Sequence, residues 1–342
     1  MQEFNLTKAS EMLILSLPKR SGVILEKRFG LGKTGSRHTL EAIGQKYGIT
    51  RERVRQIERD AIGRIRKASV YNEVMPIFLS FRNYIIDNGG VMAEPVLLAD
   101  FSNGNTSAHA VRFLLSLAPQ LVFRGESDMW HPRWGIEHAK MDVVETSLTR
   151  VAEVLAHKNT TVSYDELSAY LREDLASQGV EKWDQPHVLA YLALSKMLGK
   201  NCFGQWGHAS SPLVRPRGVR DLAYLVFQKE GTPMHFSLAA TRIREVATPR
   251  RVHAQTVHNE LIKDPRFVLV GRGTYGLVEW GYEPGTVRDI ISRVLVTSPC
   301  DKDTIVSAVL AKRHVKENTI LINLQNRKYF QKLNDGTYSN VI

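Results

Sequence analysis

The sequence predicts a mainly α-helical chain with small β wings: an N-terminal helix-turn-helix domain followed by about four winged-helix units. Three observations carry this. Residues 39–58 read as two amphipathic helices joined by a glycine turn. Beyond residue 76 the chain repeats weakly, as an apolar helix, a short hydrophobic strand, a turn and an aromatic-bearing strand. Hairpin-turn chemistry recurs late, in Gly271-Arg-Gly273 and Asn334-Asp-Gly336. The expected units are 1–70 for the helix-turn-helix, then 71–140, 141–214, 215–282 and 283–342 for the winged helices.

Taken in order, residues 1–18 form a short amphipathic lead-in, and 19–29 a helix with Val23, Ile24, Leu25 and Phe29 on its apolar side. Residues 30–36 are a basic loop. They contain Gly-Lys-Thr, but Lys27 stands where a phosphate-binding loop needs glycine, and no strand precedes it. Thr39 caps the next helix, whose Leu40, Ile43 and Tyr47 face one way. Gly44 leaves room for a close crossing, and Gly48 supplies a positive φ at the turn. Thr50 caps again, and Val54, Ile57, Ala61 and Ile65 form the buried stripe of the second helix.

The outer face of that second helix carries the chemistry. Arg51, Arg55 and Arg59 stand in one column, with Glu52 and Gln56 beside it. Arg forks onto guanine, Gln onto adenine, and Glu accepts from cytosine N4. An ordinary solvated face would alternate in sign along i,i+4 pairs. Here three Arg line up near a helix start, where positive charge opposes the dipole. The expected DNA-binding set is Arg51, Glu52, Arg53, Arg55, Gln56, Arg59, Thr39 and Lys46.

Leu17-Pro-Lys-Arg-Ser-Gly-Val-Ile-Leu-Glu-Lys-Arg-Phe-Gly-Leu31, then His38-Thr-Leu-Glu-Ala-Ile-Gly44, then Thr50-Arg-Glu-Arg-Val-Arg-Gln-Ile-Glu58 resembles region four of primary-type bacterial RNA polymerase sigma factors. The resemblance covers roughly residues 10–68. It implies recognition of a −35 promoter element in double-stranded DNA and contact with the flap of the polymerase β subunit. By position it makes Arg51, Glu52, Arg55 and Gln56 base readers, and brings Thr39 and Arg53 to the DNA backbone. Asp60 and Gly63 interrupt the basic run usual along this helix, and nothing elsewhere resembles region two. A complete, self-sufficient sigma factor is therefore not expected.

The repeated segments lie at 110–130, 188–206, 256–275 and 320–338. Their aromatic strands are expected around Met129-Trp130, Cys202 to Trp206, Tyr275 and Tyr338. Residues 217–280 are similar to HARE-type winged helices, through Pro233-Met-His-Phe236 and the ending Arg266-Phe-Val-Leu-Val-Gly-Arg-Gly-Thr-Tyr-Gly-Leu277. That family includes both DNA and protein contacts. A secondary DNA surface at Arg242, Arg244, Arg250, Arg251 and Arg272 is one expectation; a solvated loop is the other.

Charge and composition set limits. Hydrophobic residues make up 43% of 342, which suits several folded domains. The net charge is +11, and residues 19–67 hold fourteen Lys or Arg against five Asp or Glu. Such a concentration is the footprint of a phosphate-binding module. The 81–140 and 141–214 stretches balance at −1 and −3, the 215–280 and 281–342 stretches at +5 and +3. The first two winged units are thus expected to serve protein contact or spacing rather than DNA binding. No run of ~18 apolar residues is present, so no membrane contact is expected and a cytoplasmic, nucleoid-associated location is. Cys202 and Cys300 lack partners at metal-ligand spacing, which predicts buried thiols, a reducing compartment, no metal and no cofactor. The histidines are scattered, no Gly-x-Ser-x-Gly elbow occurs, and Asp165-Glu166 and Glu173-Asp174 read as a solvated helix face, so an enzyme is not expected.

The sequence thus points to a sequence-specific DNA-binding transcription protein tethered to RNA polymerase. Alternatives are a non-promoter repressor or nucleoid protein, an interaction scaffold, and a HARE-linked accessory of DNA modification. The sequence sets neither the target site nor the sign of regulation nor the oligomeric state.

Overall fold

The chain builds helices first and closes them with short hairpins. The computed structural model describes residues 5–32, 35–102, 107–180, 185–246 and 252–341, which fall into two compact units, 1–199 and 200–342. Among these residues the fold is mainly helical, with four small antiparallel sheets of two or three strands.

The first unit opens with α1 (Leu6–Leu15), α2 (Lys19–Phe29), α3 (Leu40–Tyr47) and α4 (Arg51–Ile65). Next come α5 (Ser69–Glu73), α6 (Met75–Asp87), β1 (Val91–Ala93), α7 (Glu94–Phe101), α8 (Ala108–Leu117), β2 (Val122–Arg124) and β3 (Arg133–Gly135). It ends with α9 (His138–Lys158), α10 (Tyr164–Ser177) and α11 (Gln185–Leu192). The lead-in is more than an approach segment: Leu6, Ala9, Leu13 and Ile14 of α1 are buried in a core shared with Val111, Phe113, Leu114 and Leu117 of α8. Phe29 meets Phe113 edge-on, with ring centroids 5.1 Å apart. That core takes in Ala61 and Ile65 from the end of α4 and continues through Phe78 and Phe81 of α6. Removing so much apolar surface from water is what fixes α2 and α4 against the later helices.

In this unit's sheet β3 lies between β1 and β2, with Trp134 opposite both Met92 and Phe123. The aromatic strand of the first repeat is therefore Arg133–Gly135, not the expected Met129-Trp130. Trp130 makes only an isolated bridge to Ser195. The chain between the strands is a loop closed by Arg133, which donates to the Gly125 carbonyl and pairs with Glu145 at 2.6 Å. A loop pinned by an internal ion pair leaves no tight-turn signal. Asp165, Glu166 and Glu173 are exposed on α10, and Ser163 with Glu166 forms its capping box.

A hairpin of β4 (Leu198–Lys200) and β5 (Trp206–His208) follows. Cys202 sits in its turn and is exposed, and Cys300 is half-buried. The expectation of two buried thiols is corrected: a turn between short strands has no interior.

The second unit continues with α12 (Val219–Glu230), β6 (Met234–His235), α13 (Phe236–Val246), α14 (Ala254–Lys263), β7 (Phe267–Gly271) and β8 (Thr274–Leu277). After a 3₁₀ turn at Val278–Trp280 come α15 (Val287–Thr297), α16 (Lys302–Lys312), α17 (Glu317–Leu324), β9 (Phe330–Lys332) and β10 (Tyr338–Asn340). β8 is central, between β6 and β7. Gly273 (φ 64°) makes the β7–β8 turn and Gly336 (φ 87°) the β9–β10 turn, where glycine chemistry was expected. Two cores serve these halves, one around Phe227, Ile243 and Leu261, the other around Ile291, Ile305 and Phe330.

Candidate nucleic-acid interface

Three local devices aim α4. Thr39 accepts from the Ala42 N–H at 3.1 Å and Thr50 from the Arg53 N–H at 3.2 Å, so both helices of the pair start where the sequence places them. Gly48 (φ 66°) ends α3, and the Ile49 N–H then returns to the Gly44 carbonyl at 3.0 Å. A Cβ on Gly44 would stand 2.6 Å from the Ile49 carbonyl oxygen. The close approach at this glycine is thus to the turn itself, which fixes where α4 begins.

The back of the pair is a small core of Ile24, Ile43 and Val54, with Leu40, Tyr47, Ile49 and Ile57 packed on it. From the α2 side, Arg28 Nε donates to Glu58 Oε2 at 3.3 Å. The His38 N–H donates to the Lys27 carbonyl at 2.9 Å, closing the loop between α2 and α3. With its back buried and its edge tied, α4 turns its other face to solvent.

Arg51, Glu52, Arg53, Arg55, Gln56 and Arg59 are all exposed on α4, and Thr39 and Lys46 are exposed on the elements before it. The structure therefore brings all eight expected residues onto one helix-turn-helix. They are not all unengaged. Arg55 donates twice to Glu52, at 2.9 and 2.6 Å, and Arg53 Nη1 donates to Gln56 Oε1 at 3.1 Å. Among the described residues the side chains of Arg51 and Arg59 make no hydrogen bond or ion pair. The hydrogen bond from Arg55 holds the Glu52 carboxyl below its usual range, with the Arg59 and Arg51 charges adding to it. Glu52 stays an acceptor, and Arg55 is splayed in a fixed direction with its outer edge open. Such a fork is suited to a planar acceptor pair, and its side chains are partly ordered before any ligand arrives.

A separate cluster of cations behind the pair has no signal in the sequence. Arg37, exposed just before α3, lies near Arg112 of α8 and Arg28 of α2. Burial, then the Arg112 and Arg28 charges, pull its guanidinium below the ordinary range. Arg112 itself clamps the buried Glu94 at 2.8 and 2.9 Å. Nothing local to residue 37 announces a neighbour 75 positions downstream.

The expected secondary surface is less open. Arg242 pairs with Glu230 and Glu245, both at 3.2 Å. Arg244 donates to the Val252 carbonyl at 3.1 Å and to Thr241 Oγ1 at 2.9 Å. Arg272 is exposed in the β7–β8 turn. Arg250 and Arg251 lie outside the described residues. Among the described residues no group of three or more His, Cys, Asp or Glu is arranged to hold a metal, and no helix is long and apolar enough to cross a membrane.

Comparison with known proteins bears on the same stretch. Residues 13–67 match the family described as Sigma-70, region 4. The chain is similar to the RNA polymerase sigma factor RpoD of Helicobacter pylori, 39% identical over 75 residues, covering 22% of this chain and 10% of that protein. To the RNA polymerase sigma factor RpoD of Neisseria gonorrhoeae it is 37% identical over 62 residues, 18% of this chain and 10% of the other. The likeness thus spans about a tenth of these relatives. Residues 13–67 form a sigma-70-region-4-like domain.

Proposed function

We propose that this chain is a sequence-specific DNA-binding transcription protein whose α4 enters the major groove and reads a short −35-like element. The observation that carries this is the exposed row Arg51, Glu52, Arg55, Gln56 and Arg59 on a helix whose opposite face is buried. Arg51, Glu52, Arg55 and Gln56 read base edges, and Arg53, Thr39 and Lys46 hold phosphates. The match to region four supports RNA polymerase, through its β flap, as the protein partner. With a tenth of the sigma factors' length aligned, polymerase contact by the whole protein is part of the proposal. We read the four later helix-and-hairpin segments as winged helices, residues 217–280 as HARE-type. In that reading Arg242, Arg244, Arg250, Arg251 and Arg272 form a secondary DNA contact.

The deciding experiment is selection of bound duplexes from a random pool by the full chain, with and without polymerase. Arg55→Ala then costs about 1–3 kcal/mol on the selected site and relaxes base choice there. Equal loss on every sequence reduces Arg55 to a phosphate contact and removes the reading. One observation favours a second reading, a non-promoter DNA binder: the apolar side of α1 and α2 is covered by this chain's own α8. Capture of the isolated β flap by the chain decides between the two.

A further inference from the structure

The division into two units changes the meaning of the net charge. Outside residues 19–67 the balance is a mere +2, yet that figure conceals two opposite excesses. In the first unit the remaining residues carry eleven Lys or Arg against eighteen Asp or Glu. In the second unit, 200–342, there are twenty-one against twelve. The second unit's surplus of nine equals that of the helix-turn-helix segment.

Much of this charge is spent internally. Arg242 meets Glu230 and Glu245, Arg266 meets Asp221 and Asp264, and Arg293 and Lys312 share Glu283. Arg313 is buried and donates to the Leu269 carbonyl. The surroundings of the β9–β10 hairpin differ. Arg327, Lys328 and Lys332 are exposed and, among the described residues, have no carboxylate partner. Arg288 approaches only its neighbour Asp289, at 3.9 Å.

Two tyrosines organise all of these cations but Arg327. Arg288 Cζ and Lys328 Nζ lie 4.3 and 5.6 Å from the ring centre of Tyr329, and Lys332 Nζ lies 5.9 Å from that of Tyr338, its cross-strand partner. Tyr329 and Tyr338 are themselves packed on the Ile291–Phe330 core. An ion pair holds a cation by cancelling it. An aromatic face holds it through the ring quadrupole and leaves the charge whole. The hairpin thus presents ordered, uncancelled cations on a rigid base, which is what a polyphosphate backbone requires.

We propose that the β9–β10 hairpin and the end of α17 form a second duplex-DNA contact, gripping the phosphodiester backbone without reading bases. Arg327, Lys328 and Lys332 meet phosphates, with Arg288 behind them. The phosphate contact and its salt-slope test stand without the α4 reading; its role in site search rests on that reading. The contact would hold the chain on DNA of any sequence while α4 searches for its site.

The test uses the full chain and a labelled duplex of scrambled sequence, with anisotropy measured across a salt series. The triple variant R327Q/K328Q/K332Q is expected to lower the slope of log affinity against log salt by about 2–3, near 0.9 per lost phosphate contact. The charge-conserving pair K328R/K332R keeps slope and affinity, which separates lost charge from lost folding. On the selected −35-like site the triple variant keeps its base preference, whereas Arg55→Ala loses preference and keeps this part of the slope. An unchanged slope in the triple variant overturns the proposal. So does a loss seen on single-stranded RNA or on an acidic peptide but not on duplex DNA.

Discussion

Three glycines of one helix-turn-helix should respond to alanine in three different ways. Gly44 is helical and buried, so alanine gains about 1 kcal/mol of helix propensity. Its Cβ would stand 2.6 Å from the Ile49 carbonyl oxygen and 3.4 Å from the Arg51 nitrogen. Both are backbone atoms and neither can swing aside. Overpacking of this kind costs about 1–3 kcal/mol, and a backbone obstacle belongs at the upper end, for a net loss of about 2 kcal/mol. Gly48 has open space but φ of 66°, so alanine there loses about 1 kcal/mol by left-handed strain alone. Gly63 lies within α4 with nothing inside 4 Å of its Cβ, and alanine should stabilise by about 0.5–1 kcal/mol. Tryptophan emission is the wrong probe, because all five tryptophans lie beyond residue 129. Amide hydrogen exchange of α3 and α4 reads the local opening directly. Protection should rise for Gly63→Ala, fall for Gly48→Ala and fall furthest for Gly44→Ala, which should also weaken site-specific binding because α4 starts from a displaced turn. Protection in Gly44→Ala equal to or above the parent would refute the claim that this turn aims α4 by contact.

Other perturbations test the frame around the site. Arg112→Ala leaves the Glu94 carboxylate, 6% exposed, with only a 3.4 Å bond from Trp134 Nε1. A buried charge so orphaned costs about 3 kcal/mol, read as a lowered urea midpoint by tryptophan emission; an unchanged midpoint would mean that the pair is not needed. Phe113→Ala opens a cavity against Phe29 and should cost about 3–5 kcal/mol, with exchange protection falling in α2 as well as α8. Loss confined to α8 would show that the two helices open independently. Burial, reinforced by hydrogen bonds to Asp100 and Glu279, pushes the Tyr84 and Tyr224 hydroxyls up to about 12 from 10.0. The fold therefore favours their neutral forms. Their contribution is whole below pH 10.0 and is lost as pH rises through about 12. Tyr84→Phe with Tyr224→Phe should flatten stability across that window, and an equally steep alkaline decline would assign it to other groups.

Local rules carried the sequence reading where the chain obeys them one residue at a time. Caps at Thr39 and Thr50, the left-handed Gly48 and the stripe Val54, Ala61 and Ile65 depend on neighbours within a few positions, and the structure has each of them. The hairpin turns at Gly273 and Gly336 belong to the same kind. Long-range partners left no such trace. α1 looks like a lead-in because its packing face is completed by α8, about a hundred residues on. β3 was misplaced because its loop is closed by Arg133 and Glu145, not by a turn residue. Arg55 pairs with Glu52 at i,i+3 spacing, a contact that i,i+4 sign alternation does not reveal. The acidic middle and basic end of the chain were legible from residue counts, whereas the boundary near residue 199 was not, because packing rather than composition sets it.

The coverage of α1 and α2 also constrains any protein partner of the region-four-like segment. Leu13, Ile14, Leu17, Leu25 and Phe29 are already buried, against Val111, Phe113, Leu114 and Leu117 among others. A partner that took this face would have to expose those four side chains of α8, at about 1.5–3 kcal/mol each, or roughly 6–12 kcal/mol in all. That is as large as the binding energy of a micromolar to nanomolar complex. Displacement of α8 is thus closed to a partner of ordinary affinity. One apolar strip stays open at the far edge of α1, where Leu15 is 82% exposed beside Glu11, Glu26 and Leu31. A polymerase contact through this segment can use that strip, the exposed start of α2 at Lys19 and Arg20, or the outer face of α4. On the DNA-facing side a protein partner would compete with the duplex itself. The promoter reading therefore requires a protein contact on one of these exposed patches and not on the face under α8, and the non-promoter reading requires nothing of them.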